Sequence, residues 1–233
     1  MTKARPQLTD LLTRPRSFFT ALQDLPERSG RYLWLVLLTG LLGGLYAALV
    51  QKPVQDALGT LPGLSSGSLS LALAVAGGLF GTLLLWLFLW GLGRLGAGTG
   101  SRAAEVFGAG FLPSLLVSLI LLPFSALFPL QITTPAPNVS GLQGLELAQA
   151  IQRYSLILQR EVSGQPLSVI GNVLSYAAIA WQFYLAYVGF GVITSDRGRA
   201  LRGTLVPLGI GLLLAGVLLL LTRAAQGMIG GGG

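Results

Sequence analysis

The chain of 233 residues contains no cysteine and no histidine. These absences exclude disulfides, thiolate or imidazole metal sites, and catalysis by a cysteine or histidine side chain. Charge is also scarce, because charged residues make up 10% of the sequence, whereas soluble domains carry about 25%. Hydrophobic residues account for 52%. We therefore expect no water-soluble domain of any size, no catalytic residue, no cofactor, no metal and no nucleic-acid partner.

Five uncharged apolar runs dominate what is present. A hydrocarbon core about 30 Å thick requires roughly 20 helical residues, so each run predicts a membrane-spanning helix. The predicted spans are about 32–50, 69–93, 106–130, 167–195 and 205–222. The sequence thus predicts an all-α polytopic membrane protein with a five-helix transmembrane bundle over 32–222, a cytoplasmic N-terminal amphipathic segment over 1–31 and a short C-terminal tail over 223–233.

Basic residues are distributed unevenly between the predicted loops, and membrane chains keep lysine and arginine on the cytoplasmic side of short loops. A cytoplasmic N-terminus places eleven basic residues inside and four outside. The inner set is Lys3, Arg5, Arg14, Arg16, Arg28, Arg31, Arg94, Arg102, Arg197, Arg199 and Arg202. The outer set is Lys52, Arg153, Arg160 and Arg223. We expect a multipass protein of the cell membrane, with its N-terminus cytoplasmic and its C-terminus outside.

An amphipathic helix is predicted ahead of the first span. Pro15 suits its first turn, and Phe18, Phe19, Leu22 and Leu25 recur along one face. Such a helix is expected to lie in the inner membrane interface, where anionic lipids favour each basic residue by about 1 kcal/mol. It either only anchors the N-terminus or offers a docking surface to a partner.

The one long connection, residues 131–166, lies between the third and fourth spans. It begins with a threonine- and proline-rich stretch and continues with leucine and isoleucine residues in a loose helical rhythm. We expect an amphipathic helix here that lies on the outer membrane surface or caps the bundle.

Two pairs of glycines four residues apart mark places where span backbones can approach closely. They are Gly40 with Gly44 and Gly77 with Gly81. Packing within the chain is favoured over a dedicated dimer face, although a homo-oligomer or another membrane-protein partner stays open.

Proline and amide residues distinguish the third and fourth spans. Pro113 and Pro123 predict kinks or breaks, the first of them at Gly110 to Pro113, because proline removes a backbone donor and crowds the preceding turn. Asn172 and Gln182 are expected to face other helices, where an interhelical hydrogen bond is worth on the order of 1 kcal/mol. Structural hydrogen bonding and ligand contact both remain open for these amides.

One ion cluster is predicted at the inner interface. Arg94 ends the second span, while Arg102 and Glu105 begin the third with a spacing of three, so that one carboxylate can meet two guanidiniums. We expect this cluster to act as a structural latch. A second basic turn, expected to contact anionic lipid or a partner, comprises Arg197, Arg199 and Arg202.

Residues 94–123 carry a family resemblance. A glycine-rich basic turn follows the second span, and the third span opens with glycines and aromatics near a proline. The matching residues are Gly96, Gly98, Gly100, Phe107, Gly108, Gly110, Phe111 and Pro113. The chain resembles the bacterial branch of the Yip family, five-span membrane proteins named for interaction with Ypt/Rab GTPases. The resemblance implies a five-span fold with a cytoplasmic N-terminus, a role in membrane organisation, partner recruitment or lipid handling, and no catalytic residue.

We therefore expect a non-enzymatic Yip-type membrane protein that organises the membrane or recruits a partner and contacts anionic lipids at the cytoplasmic face. The alternative is a small permease, channel or lipid-moving protein that uses the kinked third span and the polar fourth span. A continuous polar groove between these spans would favour the alternative, whereas a sealed apolar interior would favour the first interpretation.

Overall fold

A computed structural model describes the backbone of residues 6–61 and 69–230 and the side chains of residues 6–61 and 71–222. Within these ranges the regular structure is entirely helical. The helices are α1 (Leu8–Thr13), α2 (Pro15–Gln23), α3 (Leu33–Gly59), α4 (Leu69–Ala97), α5 (Ala103–Gly110), α6 (Leu112–Leu127), α7 (Gly144–Ser163), α8 (Pro166–Thr194) and α9 (Arg197–Gly230). Lys3 and Arg5, which entered the charge comparison, lie outside the described residues, as does the side chain of Arg223.

Five helical segments are long and apolar enough to cross a bilayer, which confirms the predicted class of multipass helical membrane protein. They are Leu33–Gly59, Leu71–Ala97, Ala103–Leu127, Pro166–Thr194 and Arg197–Thr222. Helices α3 and α9 exceed the predicted spans most, because α3 continues past Val50 to Gly59 and α9 runs from Arg197 to Gly230, through most of the predicted tail. The 27 residues of α3 correspond to about 40 Å, so its polar end extends beyond a hydrocarbon core of about 30 Å.

The chain divides into two compact units. The first unit comprises Met1–Tyr32, Leu85–Gly110 and Phe183–Gly233, and the second comprises Leu33–Leu84 and Phe111–Gln182. Helices α4 and α8 contribute residues to both units.

The interior of the first unit is built around α5, whose residues are all buried. Apart from Glu105, the side chains of α5 are apolar on every side, and such a helix belongs in a protein core. The ring of Phe107 meets Phe183 and Phe190 edge to face, with centroid distances of 6.4 and 5.6 Å. The indole nitrogen of Trp86 donates to the carbonyl of Ala104 at 3.1 Å, so the polar atom of this buried ring is satisfied.

The predicted N-terminal amphipathic helix is present as α2, but its aromatic face is not directed at lipid. Phe18, Phe19 and Leu22 are buried within the first unit. A Cβ built on Gly189 of α8 would lie 2.9 Å from the ring of Phe19, so the absence of a side chain there makes room for that ring. This face is therefore covered by protein, because burial against α8 gives the aromatic rings a closely packed partner, while the position of α2 in the inner interface stays a prediction.

In the second unit, α3 packs against α6 and α7. The predicted helix of the long connection is present as α7, and its apolar residues join an extra core at the polar end of α3. This core consists of Val54, Leu61, Leu130, Tyr154, Leu158 and Val162. Helix α7 thus packs against the polar end of α3, as expected of a helix that caps the bundle, while its placement relative to the membrane surface stays a prediction.

The segment leading to α7 is held by Glu161. The carboxylate accepts hydrogen bonds from the hydroxyl and N–H groups of Thr133 and Thr134. These bonds, led by the Thr133 hydroxyl, lower the pKa of Glu161 from 4.5 to about 2. The threonine-rich stretch therefore has a structural partner on α7.

The third span is interrupted where the sequence predicts. Helix α5 ends at Gly110, and α6 begins at Leu112 with Pro113 in its first turn, a position where the missing N–H costs nothing. At Pro123, where the sequence predicts a kink or a break, α6 continues without a break, and a kink there stays a prediction.

Close helix packing in the second unit uses a different glycine from the predicted one. A Cβ on Gly78 of α4 would lie 2.5 Å from the carbonyl oxygen of Gly40 and 2.7 Å from the Cα of Gly44. Gly40 and Gly44 therefore pack within the chain, as predicted. Gly77 and Gly81 have open space at the Cβ position and do not form the second packing patch. The prediction for this pair is wrong because Gly78, and not Gly77 or Gly81, lies on the face of α4 that meets α3.

We predict that Gly78→Ala destabilises the protein, whereas Gly77→Ala does not. The new methyl group at 78 meets backbone atoms that cannot rotate away, and overpacking of this kind costs about 1–3 kcal/mol. The methyl group at 77 enters open space and adds helix propensity worth about 1 kcal/mol. Thermal denaturation of both variants in detergent measures the difference, and equal midpoints would contradict the close packing of α3 and α4.

Candidate functional site

Glu105 in the first unit is a fully buried carboxylate with two arginine partners. Glu105 Oε1 is 2.8 Å from Arg31 Nε, and Oε2 is 2.5 Å from Arg102 Nε. The backbone N–H of Arg28 also donates to Oε1 at 3.2 Å. Two guanidiniums and one amide thus compensate the desolvation of a side chain that is 0% exposed. We call Glu105, Arg31 and Arg102 the latch.

The position of Arg102 follows from the glycine-rich turn before α5. Gly98 and Gly100 have φ angles of +90° and +82°, which favour glycine, and Arg102 itself has a φ of +53°. A residue with a side chain in this region is strained by about 1–3 kcal/mol. The Arg102 carbonyl accepts hydrogen bonds from the N–H groups of Glu105 and Val106 at the start of α5, and the Arg102 side chain turns back into the unit.

The guanidinium of Arg102 also holds the end of α2. Its terminal nitrogens donate to the carbonyl oxygens of Leu22 and Pro26. Carbonyls at the end of a helix lack intrahelical partners, and a cation there complements the helix dipole. The latch therefore fastens the N-terminal segment to the start of the third span through both charge and backbone.

Arg94 does not belong to this cluster, contrary to the sequence prediction. Its side chain is exposed, and the second guanidinium on Glu105 comes from Arg31. Gly96 lies on the face of α4 that contacts α9, because a Cβ on Gly96 would lie 2.3 Å from the carbonyl oxygen of Arg202. Arg94 precedes Gly96 by two residues, or about 200° around the helix, and therefore faces away from this contact.

The basic turn before α9 is exposed and locally capped. Asp196 Oδ1 accepts hydrogen bonds from the N–H groups of Gly198 and Arg199 at 2.7 and 3.2 Å. These bonds and the nearby guanidiniums lower the pKa of Asp196. The charged groups of Arg197, Arg199 and Arg202 thus project from a well-defined helix start.

A small cavity of about 260 Å³ lies beside this turn. Arg16 from α2 and Arg197 from α9 line it together with Tyr187, and the remaining lining is small and apolar. Arg16 is expected among the inner basic residues, but the sequence does not connect it with Arg197, because their association depends on how α2 docks.

The profile of the Yip1 domain family matches residues 9–220. The chain belongs to the Yip1 domain family. Comparisons with curated proteins and with solved structures gave no match. The matched range includes α2, the latch, the glycine-rich turn, the first four spans and nearly all of the fifth span of this Yip1-domain protein.

The remaining predicted residues of this Yip1-domain chain are not brought into one site. Gly110 and Pro113 are buried at the interruption of the third span. Gln182 is 3% exposed, and its amide nitrogen has no hydrogen-bond partner among the described residues. Asn172 is exposed on α8 and lines a cavity beside α3 and α7. Among the described residues, no three acidic side chains cluster in a way that could hold a metal ion.

We predict that Glu105→Gln destabilises the protein strongly. The amide leaves two guanidiniums without a counter-charge, and breaking a buried pair in this way costs about 3–5 kcal/mol. Thermal unfolding and the folded yield in detergent measure the effect. Glu27→Gln is the control, because Glu27 is exposed in the same segment of the chain. An unchanged midpoint for Glu105→Gln would contradict the latch.

Proposed function

We propose that this Yip1-domain protein is a non-enzymatic component of the bacterial inner membrane that organises the membrane or recruits a partner. In this proposal its N-terminus is cytoplasmic and its C-terminus is outside. The N-terminal segment, fixed by the latch, presents its polar face for contact.

The observation that carries the proposal is the sealed interior of the first unit. Every residue of α5 is buried, and the aromatic rings of Phe107, Phe183 and Phe190 fill the space between the third and fourth spans. A substrate pathway needs a polar or hydrated route, and intramembrane ionisable groups usually mark one. The buried ionic group of this unit, Glu105, is already engaged by its arginines.

The distribution of basic residues supports the proposed orientation. The segments expected in the cytoplasm carry eleven lysine and arginine residues, and those expected outside carry four.

The cavity beside the basic turn supports a contact with anionic lipid. Arg16 and Arg197 provide two positive charges to its lining, while Val188, Val192 and Ala200 provide apolar surface. A phosphate group between guanidiniums and an acyl chain along an apolar wall match this combination.

We predict that replacing both Arg16 and Arg197 with glutamine weakens binding of phosphatidylglycerol about tenfold or more, since each basic residue near an anionic surface contributes about 1 kcal/mol. Native mass spectrometry of protein released from mixed phosphatidylglycerol and phosphatidylcholine nanodiscs measures bound lipid. The matched control replaces Arg153 and Arg160, both exposed on α7. Equal losses in the two double variants would contradict a lipid site at this cavity.

Lipid movement or solute passage is the second candidate function. The interruption between α5 and α6 favours it, because transporters build substrate sites at broken helices. The amide nitrogen of the buried Gln182, which has no hydrogen-bond partner among the described residues, also favours it. The two functions differ in whether anything crosses the membrane.

Reconstitution into liposomes tests the proposed function. We expect no lipid scrambling and no solute flux above protein-free vesicles. We also expect a photo-crosslinker at Thr20, on the exposed face of α2, to give a specific adduct in native membranes. A crosslinker at Leu145, exposed on α7, is the control. Scrambling or flux with no Thr20-specific adduct would instead establish the second candidate.

A further inference from the structure

A second cavity lies within the second unit, between α3, α7 and the start of α8. Its volume is about 370 Å³, which falls within the roughly 300–1,000 Å³ typical of ligand pockets. It lies where the apolar run of α3 ends and Gln51 and Lys52 begin, which is the level at which a bilayer meets water. We call it the polar cavity.

The lining of the polar cavity is polar but uncharged. Its hydrogen-bonding residues are Tyr46, Gln51, Gln159, Ser163, Ser168 and Asn172, and three valines complete it. Lys52, Arg160 and Glu161 adjoin these residues in the chain but do not line the cavity. Because no formal charge faces it, a bound ion would lose hydration without compensation.

Ser168 provides an independent sign of an occupant. It is 7% exposed, and its hydroxyl oxygen has no hydrogen-bond partner among the described residues. Buried hydroxyls are normally hydrogen-bonded, and an unsatisfied one calls for an explanation. The oxygen itself is fully buried, so a ligand hydroxyl in the cavity would satisfy it after rotation of the Ser168 side chain.

A close contact between Tyr46 and Gly171 helps to shape the cavity. A Cβ on Gly171 of α8 would lie 2.4 Å from the hydroxyl oxygen of Tyr46, so the absence of a side chain at 171 allows that hydroxyl to approach α8. Tyr46 belongs to the apolar part of α3 and Gln51 to its polar end, so the cavity has hydrogen-bonding residues from both parts of this helix.

We propose that the polar cavity binds a neutral polyhydroxylated group, such as a sugar or glycerol, presented by a membrane lipid or by a free solute. Carboxamides and hydroxyls both donate and accept hydrogen bonds, which matches the alternating donor and acceptor character of neighbouring alcohols. The absence of charged lining excludes a phosphate or a metal cation as the preferred occupant. The site is distinct from the arginine-lined cavity of the first unit and does not depend on the proposed function.

Binding to the full-length protein in phosphatidylcholine nanodiscs tests this proposal. The lipid probes are monoglucosyl diacylglycerol, unmodified diacylglycerol and phosphatidic acid, and the soluble probe is methyl glucoside. We expect native mass spectrometry to show preferential retention of the glucosyl lipid over the other two lipids. Retention of the glucosyl lipid with no methyl glucoside binding identifies a lipid headgroup site, whereas comparable binding of both identifies a site for the free sugar.

Single substitutions test whether the glucoside binds at the polar cavity. Ser168→Ala should weaken glucoside binding about fivefold, the effect of one neutral hydrogen bond, while leaving the thermal midpoint of the unliganded protein unchanged or higher. Asn172→Leu should weaken binding through a second position. The matched control is Ser175→Ala, which removes an exposed hydroxyl of α8 that does not line the cavity.

Three results would overturn the proposal. In the first, the glucosyl lipid is retained no better than diacylglycerol. In the second, neither Ser168→Ala nor Asn172→Leu weakens its binding. In the third, phosphatidic acid is retained more strongly than the glucosyl lipid.

Discussion

The first unit depends on the neutralisation of one buried carboxylate. A charge inside a membrane protein has no bulk water to solvate it, so Glu105 is tolerable only because Arg31, Arg102 and the Arg28 amide surround it. The same arginines reach the carbonyls that end α2 and the turn after it. The requirement to compensate a single charge therefore also fixes the N-terminal segment and orders the start of the third span.

Features governed by solvent and local geometry could be predicted from the sequence. Apolar length indicated the five spans, the three-residue spacing joined Arg102 to Glu105, and Pro113 located the interruption of the third span. The family resemblance, resting on the glycine-rich turn, agrees with the match over residues 9–220. The positive φ angles of Gly98 and Gly100 give that glycine pattern a physical cause.

Features that depend on helix rotation and docking could not be predicted. Arg31 replaces Arg94 as the partner of Glu105, and Gly78 replaces Gly77 and Gly81 at the close helix contact. In both cases the residue that makes the contact depends on how the helices pack, which the sequence pattern does not show. The burial of Phe18 and Phe19 has the same origin, because a helix that is amphipathic in sequence can direct its apolar face at protein or at lipid. The two units also differ in character, since the first carries charged arginine sites and the second a neutral cavity.

A double-mutant cycle across Arg31 and Glu105 tests most directly whether the latch joins the N-terminal segment to the third span. The unfolding free energies of Arg31→Gln, Glu105→Gln and the double variant are compared with the wild type in one detergent. The latch predicts a coupling energy above about 1 kcal/mol, because residues in one charge network do not contribute additively. Additive effects, within about 0.5 kcal/mol, would contradict it.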